Sequence, residues 1–325
     1  MGTNPRDLPL AEARRLVQRA VDKAEQLGLR GGIAVVGASG ALITASRLDA
    51  GGPGGMARAT SKAWISATQQ IPSTEHLQRM TTLPAPISSG FVGISPQAMF
   101  PGAGGIPVLD DEGVVVGGIA ASGATVSPFL PTDVAPEVVS AEGEPANPED
   151  LLIAYALGIP YVGQHGDDRA RWETRFGDLV VPPADSLGMK PAPPASRQRE
   201  LAWARGVCDR VIAAAADRGV LVSVAVVDRG GDPIQQDRMD DAVAAAVDVA
   251  LATAATASRF GSPSDDLDVL YGPATKSLSR LSPVPFLGAP GGVPLVVEGR
   301  VVGGVGVGGV DPSVCAELAR EAAAT

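Results

Sequence analysis

The sequence predicts an α+β protein made of two tandem α/β/α domains, each an antiparallel sheet with flanking helices. Three observations carry this. One block of sequence recurs in a constant register, each block alternates helical and strand-pair patterns, and the composition is that of a globular chain. Leu10, Ala13, Arg14, Arg19, Ala24 and Gly28 match Leu201, Ala204, Arg205, Arg210, Ala215 and Gly219 without a gap. The match continues through Ile33-Ala-Val-Val36 against Val224-Ala-Val-Val227 and through Arg47-Leu-Asp49 against Arg238-Met-Asp240, and reaches Pro72 and Pro263. A repeat of this length is a duplicated structural unit.

Each copy follows one plan. Apolar residues at Leu10, Ala13, Val17, Ala20, Val21, Ala24 and Leu27 mark one face of a helix, because residues three and four apart share a face. Gly28 and Gly219 follow that helix, where a residue free to take positive φ ends it. A hairpin is expected over residues 32–36 and 41–47, turning at Gly37-Ala-Ser-Gly40; Asp228-Arg-Gly-Gly231 is the counterpart turn. An Ala-rich helix follows (residues 56–70 and 242–260), stopped by Pro72 and Pro263. After a variable loop, a second hairpin joins residues 105–109 to 114–122, and 292–297 to 300–307. Asp311-Pro312 and Asn147-Pro148 each pair an N-cap with proline at the first helical position.

The domains expected are residues 1–160, with an insertion at about 123–146, and residues 198–325, joined by an arm and Pro-rich linker over 161–197. With 325 residues the chain is long enough for two cores. Hydrophobic residues make up 45% and aromatics only 4%, so those cores must be built from small side chains. The net charge of −10 argues against nucleic acid, which is bound through Lys and Arg, and against an anionic membrane surface. No signal peptide or membrane span is expected, and Cys208 and Cys315 fit a reducing compartment. A cytoplasmic protein is the expectation.

The chain resembles the GlcG/HbpS (PduO C-terminal-like) family. The resemblance rests on Ala34-Val-Val36 with Arg47-Leu-Asp49, on Lys62-Ala63, on Pro72-Ser-Thr-Glu75, on Gly104-Gly105-Ile-Pro107 and on Val116-Gly-Gly-Ile119. Copy two repeats most of it in Ala225-Val-Val-Asp228, Arg238-Met-Asp240, Pro290-Gly-Gly-Val-Pro294 and Val302-Gly-Gly-Val305. It implies a profilin-like fold, a tendency to form homo-oligomers, and haem or corrinoid-related ligands. The lysine of the family's Ala-rich helix is Lys62 in copy one but Thr253 in copy two, so unequal sites are expected.

The candidate catalytic residues are Lys62, His165 and His76. Lys62 lies among alanines, where its ammonium can approach the sheet and hold an anionic group; the alternative is a lysine on a solvated helix face. His76 and His165, the two histidines of the chain, suit a general base or a haem ligand, although a lone histidine more often packs. Candidate substrate-binding residues are Arg47, Asp49, Gly104, Gly105 and Tyr161. Arg47 can clamp a carboxylate, or pair with Asp49 to close the sheet end. Glycines 104 and 105 can offer backbone N–H groups to an anion, or serve tight packing. No metal-ligand spacing occurs. Gly304-Val-Gly-Val-Gly-Gly309 matches a dinucleotide fingerprint in letters only, since too little chain follows for a βαβ unit.

The favoured reading is a small-molecule-binding protein working as a cofactor-free enzyme on a small polar organic substrate, with its site mainly in repeat one. The alternatives are a haem or tetrapyrrole-binding protein and a structural, oligomer-forming partner.

Overall fold

The computed structural model describes residues 8–49, 51–124, 147–159, 200–272 and 286–324. Repeat one comprises α1 (Leu10–Gln26), β1 (Gly32–Gly37), β2 (Leu42–Arg47), α2 (Gly54–Gln69), α3 (Ser73–Thr82), α4 (Ala85–Gly93), β3 (Gly105–Leu109), β4 (Val115–Ser122) and α5 (Pro148–Leu157). Repeat two comprises α6 (Glu200–Asp217), β5 (Ser223–Asp228), β6 (Pro233–Arg238), α7 (Ala246–Phe260), α8 (Asp266–Tyr271), β7 (Gly292–Val297), β8 (Arg300–Gly308) and α9 (Pro312–Ala323). Much of the insertion expected at 123–146, and the arm at 161–197, lie outside the described residues.

The expected elements form, with three added helices. The stretch after Pro72, read as a variable loop, folds as α3 and α4, and its counterpart holds α8. Prolines 72 and 84 stand immediately before α3 and α4; proline suits a helix start because it has no N–H to leave unpaired. These helices are only ten and nine residues long and bury no apolar side chain, so a reading by apolar period passes over them.

The two four-stranded sheets join into one antiparallel sheet in the order β3-β4-β1-β2-β6-β5-β8-β7. At the seam Thr44, Ala45 and Ser46 of β2 face Asp237, Gln236 and Gln235 of β6. In the repeat register Ala45 corresponds to Gln236, so a pseudo-two-fold axis passes through that pair. The sequence predicts two sheets; pairing of their β2-type strands makes them one.

Helices cover both faces. On one, α1 and α5 pack on Ile33, Val35, Ile43 and Ile119, and α6 and α9 pack on Val224, Val226, Val305 and Val307. On the other, α2 covers Ala34, Val36, Ala45 and Ala120, and α7 covers Ala225 and Val227. That alternation along each strand is the two-residue period of a pleated sheet. The α2/α7 side is unusually close. A Cβ on Gly118 would lie 2.2 Å from the Ala63 carbonyl oxygen, and one on Gly306 would lie 2.1 Å from that of Ala250. The glycine run in β8 is therefore a helix-packing device. Gly304 and Gly306 admit α7, while Val305 and Val307 fill the opposite core.

The outer strands β3 and β7 carry Pro107 and Pro294. Proline on an edge lacks a donor for further strand pairing. Both cysteines are buried free thiols, and burial pushes the Cys208 thiol up, with the nearby Asp237 charge adding to it. No helix among the described residues is long and apolar enough to cross a membrane.

Candidate functional site

The site begins with a glycine loop running into β3. Gly104 has φ 95°, and a Cβ there would lie 2.6 Å from the Ala121 oxygen and 2.7 Å from Glu149 Cβ; both the backbone angle and the space demand glycine. A Cβ on Gly105 would meet Ser73 Oγ at 2.5 Å and Ser66 Oγ at 2.8 Å. Glycines 104 and 105 thus let the loop press against α2, α3 and the start of α5. Ser73 stitches α3 to the loop by donating to the Gly102 oxygen.

Helix α5 is fixed by its cap. The Asn147 side chain accepts hydrogen bonds from the backbone N–H groups of Glu149 (2.9 Å) and Asp150 (3.3 Å). That aims two first-turn carboxylates at the loop. Asp150 Oδ1 accepts from Gly104 N at 2.6 Å. Glu149 Oε1 accepts from Gly123 N at 2.7 Å and Ala124 N at 3.2 Å. Its other oxygen, Oε2, accepts from Lys62 Nζ at 2.6 Å. Lys62 is 3% exposed and Glu149 4%, so this ion pair lies inside the protein. The Phe100 ring, 5.7 Å from Nζ, lies on the ammonium, a favourable cation–π placement. Ser66, one turn beyond Lys62, has a buried hydroxyl without a hydrogen-bond partner among the described residues.

Of the residues expected from sequence, Lys62, Gly104 and Gly105 come together here. His76 lies on α3, one turn past Ser73. It is buried, its ring sits 5.6 Å from that of Phe91, and its Nε2 has no hydrogen-bond partner among the described residues. Burial, helped by the Arg79 charge, lowers its pKa and favours the neutral imidazole. Arg47 and Asp49 sit at the seam between the repeats. Arg47 donates to Asp228 Oδ2 at 2.8 Å, and Asp49 Oδ1 accepts from Leu201 N at 3.1 Å. Tyr161 and His165 lie outside the described residues.

Glu149 and Asp150 were missed by sequence reasoning. Asn147-Pro148 signals the helix start that carries them, but nothing in a linear sequence says which turn of α2 that helix end will meet. Among the described residues, repeat two has no such pair. At the matching glycine, Gly291, a Cβ would meet Cys315 Cβ at 3.5 Å and Thr253 Cγ2 at 3.8 Å. Thr253 instead turns its hydroxyl back to the Val249 and Ala250 carbonyls. No group of His, Cys, Asp and Glu among the described residues could hold a metal ion.

A tandem α/β/α protein with one glycine loop per repeat and, among the described residues, a buried lysine–glutamate pair at the loop of repeat one is the class that fold and site define. The chain belongs to the HbpS-like family: the family model described as haem degrading protein HbpS-like matches residues 8–128 and 200–324, one match in each repeat. An uncharacterised 15.0 kDa protein from the dhaT-dhaS intergenic region of Citrobacter freundii is 32% identical over 113 residues, covering 34% of this chain and 78% of that protein. Among solved structures, the chain is similar to Klebsiella pneumoniae protein ORFY, of family DUF336, at 27% identity and a TM-score of 0.37, covering 39% of this chain and 88% of that one. It is also similar to a double mutant of Streptomyces reticuli HbpS, at 27% identity and a TM-score of 0.35, covering 45% and 94%.

Proposed function

We propose that this is a small-molecule-binding protein with its site in repeat one, acting there as an acid–base enzyme on a small polar organic substrate. The buried Lys62–Glu149 pair is the observation that carries the reading. Removing two charges from water costs more than their attraction usually returns, and repeat two folds with Thr253 and Cys315 in the matching places. The fold does not need the pair, which favours a chemical role. Glu149 accepts a proton from the carbon beside a substrate carbonyl. The electron pair left behind moves onto the carbonyl oxygen, where the Lys62 ammonium stabilises it, and Glu149 returns the proton to the product. Gly123 N and Ala124 N hold the carboxylate in place meanwhile.

The second reading is haem binding, favoured by His76 and by the family's description. A haem iron needs an axial donor, and a neutral imidazole with a free nitrogen suits it. His76 Nε2 fits that requirement, and α4 beside it is apolar, with Ile87 and Val92 exposed. Haem would supply iron redox chemistry; His76 would ligate it, with Phe91 packed against the imidazole. A homo-oligomer is the partner state that α4 favours, since no residue of that helix is buried; light scattering would read its mass.

The test is native mass spectrometry of the purified protein beside its absorption spectrum. A haem adduct with a Soret band that His76→Ala abolishes would establish the second reading. A colourless protein whose turnover of small carbonyl compounds disappears in Lys62→Ala would establish the first. Turnover unchanged by Lys62→Ala would end it.

A further inference from the structure

Resting on the acid–base reading above, we infer that Arg58 is the carboxylate clamp of the site, and that the substrate is a small monocarboxylic acid bearing a carbonyl group. Arg58 and Lys62 are one turn apart on α2, so they share a face. Their tips converge on one loop. The Arg58 guanidinium lies 3.2 Å from where a Gly123 Cβ would stand, and Gly123 N donates to the carboxylate that holds Lys62. Glycine at 123, with φ 87°, lets the loop pass this close to the guanidinium and to the Gly31 and Gly55 backbone.

Arg58 is half-buried, and its one side-chain hydrogen bond among the described residues is a long one of 3.4 Å from Nε to Ser122 Oγ. No described carboxylate lies within ion-pair distance of it, whereas Arg14, Arg15, Arg47, Arg79 and Arg218 all have one. Its paired N–H groups are therefore available to a planar carboxylate, the geometry guanidinium recognises best. The repeat register sharpens this. The α2 stripe Arg58, Lys62, Ser66 is replaced on α7 by Val249, Thr253, Ala257. Arg58 and Lys62 occur together in repeat one, and both are replaced at the register positions of repeat two, as expected of parts of one site.

Charge selects the ligand class. Glu149 neutralises Lys62, and Asp150 adds a negative charge at the same loop. Among the described residues of this loop and helix, Arg58 is the cation left to answer a ligand. A monoanionic carboxylate matches it, while a phosphate dianion would meet two carboxylates for a single guanidinium.

The test uses the full chain and three probes: pyruvate, its uncharged counterpart acetone, and inorganic phosphate, each followed by saturation-transfer NMR and calorimetry. Arg58→Val, which installs the side chain repeat two carries at this position, and Arg58→Lys are first checked for native circular dichroism and melting. We expect pyruvate to bind and phosphate not to. Arg58→Val should weaken pyruvate at least about tenfold, the scale of one charge-assisted hydrogen bond, and leave acetone unchanged. Arg58→Lys should fall between, and Lys62→Ala should weaken both organic probes. If pyruvate binds Arg58→Val as well as wild type, or phosphate binds better than pyruvate, the clamp is wrong; Lys62-dependent acetone binding would still uphold the acid–base site. If neither organic probe binds wild type, both the clamp and the acid–base reading fall.

Discussion

Asp240 accepts a hydrogen bond at 2.7 Å from the backbone N–H of Leu10, the first residue of α1, although the two are 230 residues apart in the chain. Its register partner Asp49 does the same for Leu201 in the first turn of α6, at 3.1 Å. Each repeat thus caps the first helix of the other. Replacing Asp240 with alanine should cost about 1 kcal/mol, as loss of a helix cap does, and Asp49→Ala should cost a similar amount. Urea unfolding reads both, and ligand binding should survive in each variant.

Asp237 anchors the seam more strongly. Its carboxylate, fully buried, accepts from Arg14 Nε and NH2 at 3.0 and 2.8 Å, from Thr44 at 2.8 Å and from Gln235 at 2.9 Å. Its register partner is Ser46, so the charge belongs to repeat two alone. Asp237→Ala should destabilise the protein by about 2–3 kcal/mol, because the buried Thr44 and Gln235 donors lose their acceptor and Arg14 keeps only the exposed Asp209. A smaller loss in the urea midpoint than Asp240→Ala gives would contradict this ranking.

The Lys62–Glu149 pair should behave as a coupled unit. Either Lys62→Met or Glu149→Leu alone strands a buried charge and should cost about 3–5 kcal/mol. The double variant should recover most of that stability while remaining unable to act on substrate. A double-mutant cycle by chemical denaturation, run beside an activity assay, separates the structural role from the chemical one.

Glycine at 118 is set by helix approach. Gly118→Ala places a methyl 2.2 Å from the Ala63 oxygen and forces α2 off the sheet, at a cost of about 1–3 kcal/mol or more. Because α2 carries Lys62, ligand affinity should fall with it. The same substitution at Gly306, facing α7, should cost stability alone.

His76 gives the fold a pH dependence. Burial lowers its pKa, with the Arg79 charge beside it, itself paired to Glu75, adding to the effect. The unfolded chain therefore binds the proton more readily than the folded one. Stability from this group is complete above the unfolded value of about 6.5, declines as pH falls through it, and levels off below the lowered folded value. Melting temperatures from pH 8 to pH 5 should fall less in His76→Phe than in wild type.

The repeat and the order of its main helices and strands were legible in sequence because each is written locally or in register, whereas the glycines left packing and anion binding equally open. The constant spacing from Leu10 to Pro263 declares the duplication, and the apolar period of α1 declares its buried face. The asymmetry between Lys62 and Thr253 pointed to repeat one before any geometry. Three things were decided only in three dimensions. Residues 44–46 and 235–237 carry no mark of being edge strands that pair, so two sheets became one only on folding. Arg47 and Asp49, which as a motif suggest a ligand clamp, bond across the seam, because that pairing brings Asp228 and α6 beside them. Glu149 became the partner of Lys62 because the Asn147 cap sets the angle of α5 against α2. A sequence records which groups can ionise or cap. Which of them meet is fixed by the packing of distant elements, since burial, charge pairing and the space beside a glycine exist only between surfaces that folding has joined.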